Sequence, residues 1–177
     1  IKSLIASVSR AFPVGALMTL ETGGDVDFKP RPIEGAPESA RMVTPRSLLL
    51  DGQQRMTSLY QVTLRRQVVE TITPKKKRVR RWFYIDIKKA LDPSVDREEA
   101  IVGVPEDKII RENFGREVKL DLSTSEHEFE ALHYPVSMVF AWDDWQKLFI
   151  EHSMKKGDFA EKWDVIRRFK EEVIDNF

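Results

Sequence analysis

The chain has 177 residues, of which 41% are hydrophobic and 33% are charged, and this length is sufficient for one substantial core. It contains no cysteine, which excludes disulfides and thiolate metal ligands and favours a reducing, cytoplasmic location. No apolar run approaches the roughly 18 residues that a membrane span requires, so we expect no membrane partner. The net charge is zero, but residues 1–81 hold 15 Lys and Arg against 7 Asp and Glu, a surplus that attracts phosphate-bearing ligands if it forms one face.

Helix, turn and strand patterns follow one another at the start of the chain. Apolar residues at helical spacing predict a helix that ends near Arg10, and Pro13 and Gly15 then predict a turn. Residues 16–21 are predicted to form a short buried strand. Residues 22–45 are rich in proline and glycine, which predicts a long loop.

The next third of the chain predicts a strand, a helix and a hairpin. Residues 47–50 form a second buried strand in this interpretation, and a helix runs from near Gln53 to about Arg66. Two further strands, 68–72 and 82–87, are expected to pair as an antiparallel hairpin across a long basic tip at residues 74–78.

Short strands and then helices are predicted for the rest of the chain. The short strands are expected at 101–104 and 118–122. Amphipathic spacing predicts helices around 145–152 and 159–173, the second with Asp158 as its N-cap. Interleaved strands and helices followed by helices indicate an α/β protein, α+β in arrangement, with a helical C-terminal portion.

The segment 51–55, Asp-Gly-Gln-Gln-Arg, carries the most informative chemistry. A helix that begins near Gln53 leaves backbone N–H groups without partners, and its dipole makes that end partly positive. Arg55 in the first turn adds a like charge, which an anion bound at the same point would offset. Asp51 could hold a divalent cation or orient a water molecule. The alternative is that Asp51 and Gly52 form an ordinary helix start and that Arg55 reaches solvent.

A resemblance to a known family extends this interpretation. The run Asp51-Gly-Gln-Gln-Arg-Met-Thr-Ser-Leu59 resembles the signature of the GmrSD-type restriction endonuclease N-terminal domain family. The upstream runs 4–8 and 12–17 are similar to that family's helix, aromatic-Pro-Ile-Gly turn and strand. The resemblance implies a ParB/sulfiredoxin-like fold, a small mixed sheet with flanking helices, over residues 1–140. Residues 141–177 would be a helical portion of the same domain, and the chain would be a fragment that lacks the family's N-terminal segment.

The resemblance also implies an activity, the binding and hydrolysis of a nucleoside triphosphate with Mg²⁺ in a restriction or phage-defence protein that acts on foreign or modified DNA. The partners would be DNA and an HNH-type nuclease domain, whose motif this sequence does not contain. The resemblance implies catalytic roles for Asp51, Gln53, Gln54 and Arg55, metal binding by Asp51, and nucleotide binding by Gly52, Arg55, Thr57 and Gly15. In this mechanism Arg55 holds phosphate charge and one of the two glutamines orients the attacking water.

A second candidate surface is the basic run at 75–81. Six of its seven residues are basic, and they are Lys75, Lys76, Lys77, Arg78, Arg80 and Arg81. Aromatic residues 82–84 follow directly, a combination that suits nucleic acid. In the alternative the run is a solvated hairpin tip, with Trp82 and Tyr84 on one strand face and Phe83 on the other. The sequence therefore leaves open a second function, a non-catalytic DNA-binding module that uses the same phosphate pocket and this hairpin.

Overall fold

The computed structural model describes residues 1–24, 29–73 and 75–177, and strands alternate with helices until the chain becomes helical near its C-terminus. The helices are α1 (Lys2–Val8), α2 (Gln53–Thr63), α3 (Ile87–Leu91), α4 (Arg97–Ala100), α5 (Ser125–Glu130), α6 (Trp142–Lys156) and α7 (Phe159–Glu172). The strands are β1 (Met18–Glu21), β2 (Ser47–Asp51), β3 (Val69–Ile72), β4 (Arg78–Asp86), β5 (Ile101–Pro105), β6 (Ile109–Glu112), β7 (Glu117–Asp121) and β8 (His133–Pro135). Short 3-10 helices cover Glu38–Met42, Asn113–Gly115, Val136–Ala141 and Ile174–Asn176. The predicted α/β class with a helical C-terminal portion is confirmed.

The main sheet is built around β4, the longest strand. One edge of β4 pairs with β5, and the other edge pairs first with β3 and then with β8. Every strand pairing among the described residues is antiparallel. The expectation of a mixed sheet was therefore wrong for this part of the chain, because β3, β5 and β8 all run opposite to β4, the strand with which each of them pairs. The ParB/sulfiredoxin-like assignment stays a prediction.

The two faces of β4 bury different side chains. Phe83 and Ile85 face the main core, whereas Trp82 and Tyr84 pack in a smaller cluster beneath the β6–β7 hairpin. The predicted alternation of these aromatic residues is confirmed, as the two-residue period of a strand requires. The sheet is thus covered on both faces, by helices on one side and by the hairpin on the other.

The main core joins the first helix to the last. Ile5 of α1 and Phe169 of α7 are both fully buried in it. Trp145 and Phe149 of α6 stack with ring centroids 5.3 Å apart. Asp158 occupies the N-cap position of α7 as expected, but its carboxylate pairs with Lys162 at 2.8 Å and makes no side-chain cap. Residues 141–177 therefore share one core with the residues before them.

The ribbon formed by β1 and β2 departs from expectation. Both strands were expected to be buried, yet no residue of either one is buried, and the Leu50 side chain is 43% exposed. The reason is that these strands pair only with each other and stay apart from the main sheet. A two-stranded ribbon buries little on its own.

Several predicted boundaries also shift. The first helix ends at Val8, ahead of Arg10, and the strand expected from residue 82 begins at Arg78. It begins earlier because Arg78 and Arg80 pair in register with Ile72 and Glu70 of β3. Pro74 in the hairpin tip and residues 25–28 in the long loop lie outside the described residues. None of the helices in the described part of the chain is both long and apolar enough to cross a membrane.

Candidate functional site

The predicted strand–turn–helix around residues 51–55 is present. β2 ends at Asp51, Gly52 is the N-cap of α2 with a φ of 88°, and the helix begins at Gln53. This positive φ favours glycine, whereas a Cβ on residue 52 would meet only the end of the exposed Leu17 side chain, which can shift. Because glycine has no capping side chain, the first turn of α2 has no side-chain cap.

Arg55 connects this helix start to the turn that precedes β1. Its Nη1 donates a hydrogen bond to the carbonyl of Val14, and its Nη2 donates to the carbonyl of Ala16 at 2.7 Å. The same Nη2 lies 3.4 Å from Oδ2 of Asp51, a long contact with an exposed carboxylate. The two carbonyl dipoles therefore offset the repulsion between the Arg55 charge and the positive end of the helix dipole. The predicted contact between Arg55 and phosphate stays a prediction.

Gly15 makes this contact possible. Its φ is 92°, and a Cβ at this position would lie 2.1 Å from Nη1 of Arg55. The resemblance implies that Gly15 binds nucleotide, and the structure places it against the guanidinium of Arg55. We refer to Arg55, Gly15 and the carbonyls of Val14 and Ala16 as the Arg55 clamp.

The side chains that follow Gly52 separate onto two sides of α2. Gln54, Arg55 and Ser58 line a cleft of about 460 Å³ between α1 and α2, which we call the α1 cleft. Gln53 and Thr57 line another cleft, of about 480 Å³, formed with the segment 29–34, which we call the loop cleft. Gln53 and Thr57 are four apart and share one helix face, whereas Gln54 and Ser58 are four apart on another face, on which Arg55, three before Ser58, also lies. The expected convergence of all these side chains on one point is therefore not observed.

The loop cleft contains two basic residues that the sequence interpretation missed. Lys29 and Arg31 line it together with the apolar residues Ile33 and 48–50. Gln53 is held in place there, because its Nε2 donates to the Leu49 carbonyl at 2.9 Å. A signal was present in the sequence, since Lys29 and Arg31 each precede a proline, and such residues favour extended backbone.

Asp51 is the acidic residue of the predicted site, and its side chain is 71% exposed. The described residues contain no group of three or more His, Asp or Glu that could hold a metal ion. A single carboxylate does fit Mg²⁺ when phosphate oxygens and water complete the octahedron. Asp51 therefore fits a magnesium ion whose other ligands are phosphate oxygens and water, and its predicted role in metal binding stays a prediction.

The basic residues of the β3–β4 hairpin differ in the strand face on which they lie and in their partners. Arg78 and Arg80 lie on one face of β4 and pair with Glu70 at 3.1 Å and Glu106 at 2.9 Å. Arg81 lies on the opposite face and donates to the Gly103 carbonyl at 3.1 Å. Strand alternation and these contacts therefore divide the six basic residues between two faces, and their predicted contact with DNA stays a prediction. Lys75, Lys76 and Lys77 remain together as an exposed group at the tip.

Comparison with known proteins returned no match: neither a protein-family model, nor a curated protein, nor a solved structure matches this chain.

Proposed function

We propose that the chain binds and hydrolyses a nucleoside triphosphate at the start of α2, as part of a restriction or defence protein that acts on foreign or modified DNA. The observation that supports this most directly is the first turn of α2. That turn has no side-chain cap, and it is flanked by an exposed carboxylate and two adjacent amides, Asp51, Gln53 and Gln54. Unpaired N–H groups at the positive end of a helix favour a phosphate.

The mechanism is one of positioning and electrostatic stabilisation. The N–H groups of the first turn orient phosphate oxygens. Asp51 would hold a magnesium ion that accompanies the nucleotide, and magnesium would supply positive charge to the transferred phosphoryl group. Gln53 orients the attacking water through its Oε1, because its Nε2 is already engaged with the Leu49 carbonyl.

The test is a phosphate-release assay with Mg²⁺, paired with a binding titration, on Gln53→Ala and Gln54→Ala. We expect Gln53→Ala to abolish hydrolysis while nucleotide affinity stays within about threefold, or roughly 0.7 kcal/mol. Ser58→Ala, on the same helix but outside the proposed machinery, serves as the control and should turn over normally. A wild-type chain that releases no phosphate would show the hydrolytic proposal to be wrong. Normal turnover in both glutamine variants would move the water-orienting role to Asp51.

A second candidate, a non-catalytic DNA-binding module, is favoured by a separate observation. The three consecutive lysines at 75–77 are all exposed at the end of the β3–β4 hairpin. Exposed lysines can reach the phosphates of a duplex without a shaped pocket.

A further inference from the structure

We infer that the polyphosphate of the nucleotide lies in the loop cleft, where Lys29, Arg31 and Thr57 hold it, and that Arg55 is a positioning residue. This inference rests on the proposed function, since it identifies which side of α2 receives the ligand. It adds Lys29 and Arg31, which lie outside the Asp-Gly-Gln-Gln-Arg segment, to the residues proposed to bind the nucleotide.

The distribution of charge distinguishes the two clefts. Arg55 supplies the one charged side chain among the described residues that line the α1 cleft, and both of its terminal nitrogens already donate to carbonyls. The loop cleft is lined by Lys29 and Arg31, both of them exposed, with Glu34 as its acidic residue. A polyphosphate therefore meets available positive charge on the Gln53 side of the helix, and charge is the larger part of phosphate recognition.

The segment that carries these two basic residues is restricted in conformation. Lys29 and Arg31 alternate with Pro30 and Pro32, so each basic residue precedes a proline and each proline has a fixed φ. Such a segment has little backbone entropy to lose when its side chains engage a ligand. It is further tied to α2, since Gln61 Nε2 donates to the Glu34 carbonyl at 3.2 Å.

The remaining lining of the loop cleft favours a nucleotide over inorganic phosphate. Leu48 and Leu49 are half-buried there, and Leu50 and Ile33 are 43% and 37% exposed. An apolar wall beside two basic residues suits a ligand that joins an anionic group to a flat, weakly polar one. A purine or pyrimidine base provides such a group.

The Arg55 clamp has a different role in this arrangement. It fixes the turn at 14–16 against the first turn of α2, which places Gly52 and the helix N–H groups relative to the ribbon. Arg55 thus acts through the backbone that it holds and does not contact the ligand.

The experiment is a calorimetric titration at several salt concentrations. The probes are the β,γ-imido analogues of ATP and GTP and inorganic tripolyphosphate. We expect the double variant Lys29→Gln/Arg31→Gln to weaken nucleotide binding at least tenfold and to flatten its salt dependence. Lys147→Gln/Lys155→Gln removes the same charge from exposed positions of α6 and should change affinity less than twofold.

Two further comparisons separate direct binding from positioning. Thr57→Val should weaken binding severalfold, whereas Ser58→Ala, one position along α2 but in the other cleft, should not. Arg55→Ala should lower affinity but leave the slope of affinity against salt unchanged, since the guanidinium does not itself neutralise a phosphate. Gly15→Ala, which removes no cleft side chain, should produce the same pattern.

The outcomes are distinguishable. If the wild type binds nucleotide and Lys29→Gln/Arg31→Gln binds it equally well, the placement in the loop cleft is overturned while the proposed function stands. A flatter salt slope in Arg55→Ala overturns its positioning role. Tripolyphosphate binding as tight as nucleotide binding overturns the role of the apolar wall. A wild-type chain that binds neither analogue overturns this inference and the proposed function together.

Discussion

Arg55 joins parts of the chain that are far apart in sequence, since its two carbonyl partners precede it by 41 and 39 residues. Each bond pairs a charged donor with a backbone acceptor, a type that contributes about 1.5–3 kcal/mol when it is not fully solvated. The Arg55 side chain is 30% exposed, which places these bonds toward the lower end of that range. These two bonds hold the turn at residues 14–16 against the first turn of α2.

Gly15→Ala is expected to destabilise the protein more than the same change at a comparable glycine. Gly115 has a φ of 87°, close to the 92° of Gly15, and no described atom lies within 4 Å of the position of its missing Cβ. Gly115→Ala should therefore cost only the left-handed backbone penalty, roughly 1–2 kcal/mol. Gly15→Ala should cost about 1.5–3 kcal/mol more, because it also displaces Arg55. Urea denaturation of both variants measures the difference.

A double-mutant cycle provides the control for this prediction. In an Arg55→Ala background, the cost of Gly15→Ala should fall to that of Gly115→Ala, because no guanidinium remains to be displaced. An unchanged cost would show that Gly15 is required for a reason other than the clamp.

The sequence predicted the strand, the turn and the helix start around residues 51–55, but not what their side chains contact. Asp51, Gly52 and the beginning of the helix follow from local patterns, namely a strand that ends in a turn residue and a helical period that starts after it. The carbonyl partners of Arg55 depend on a fold-back across about forty residues, which no local pattern encodes. Lys29 and Arg31 were missed because they lie in a long loop without periodicity.

At the scale of whole elements, β4 shows how one strand serves several purposes. Its first residues pair with β3 and carry arginines that are held by acidic neighbours, and its later residues enter the two cores. The sequence predicted the facing of Trp82, Phe83 and Tyr84, because a two-residue period determines it. The same period places Arg81 on the opposite strand face from Arg80, although both residues were predicted to contact DNA.

Replacement of Lys75, Lys76 and Lys77 by Gln is expected to lower the affinity of the chain for duplex DNA and to flatten its salt dependence. The slope of log K against log salt should decrease by about 0.9 for each duplex phosphate that the variant no longer neutralises. Arg81→Gln is the contrasting variant, since Arg81 lies on the other strand face, and it should leave the slope unchanged. Fluorescence anisotropy with a labelled duplex measures both variants. A wild-type slope in the triple variant would mean that the lysines only solvate the hairpin tip.

At the scale of the whole molecule, stability depends on pH through groups distributed across the fold. Burial raises the pKa of Tyr84, with a further contribution from the Glu128 carboxylate that accepts its hydroxyl hydrogen bond at 2.6 Å. Burial alone raises the pKa of Tyr134. In the opposite direction, the hydrogen bond from Lys156 holds the pKa of Glu130 below its ordinary value, and the one from Lys162 does the same for Asp158.

The free energy of unfolding is therefore expected to fall at both extremes of pH. A tyrosine whose folded pKa exceeds its ordinary value of 10.0 contributes fully below pH 10, and that contribution is lost as pH rises above it. At pH 11 the loss is about 1.4 kcal/mol for each such tyrosine. The carboxylates contribute above their ordinary pKa values, 4.5 for Glu130 and 3.8 for Asp158, and their contribution is lost as pH falls through the folded values.

Urea denaturation between pH 7 and 11 measures the alkaline side. Tyr84→Phe removes one titrating group, so its stability should decline less steeply above pH 10 than that of the wild type. The slope is the appropriate readout, because the variant also loses the hydrogen bond to Glu128. Equal slopes would show that Tyr84 ionises in the folded state as readily as in the unfolded chain.

The lack of buried residues in the β1–β2 ribbon has a consequence for amide hydrogen exchange. Backbone amides of Thr19 and Leu49 can exchange through a local opening of the ribbon, because separating the two strands exposes little apolar surface. Amides at Phe83 and Ile85 lie in a strand that is paired on both edges and buried, so they exchange only when the molecule unfolds globally. Protection factors should therefore be much lower in the ribbon than in β4, and a ligand that bridges residues 29–31 and α2 should raise them in the ribbon first.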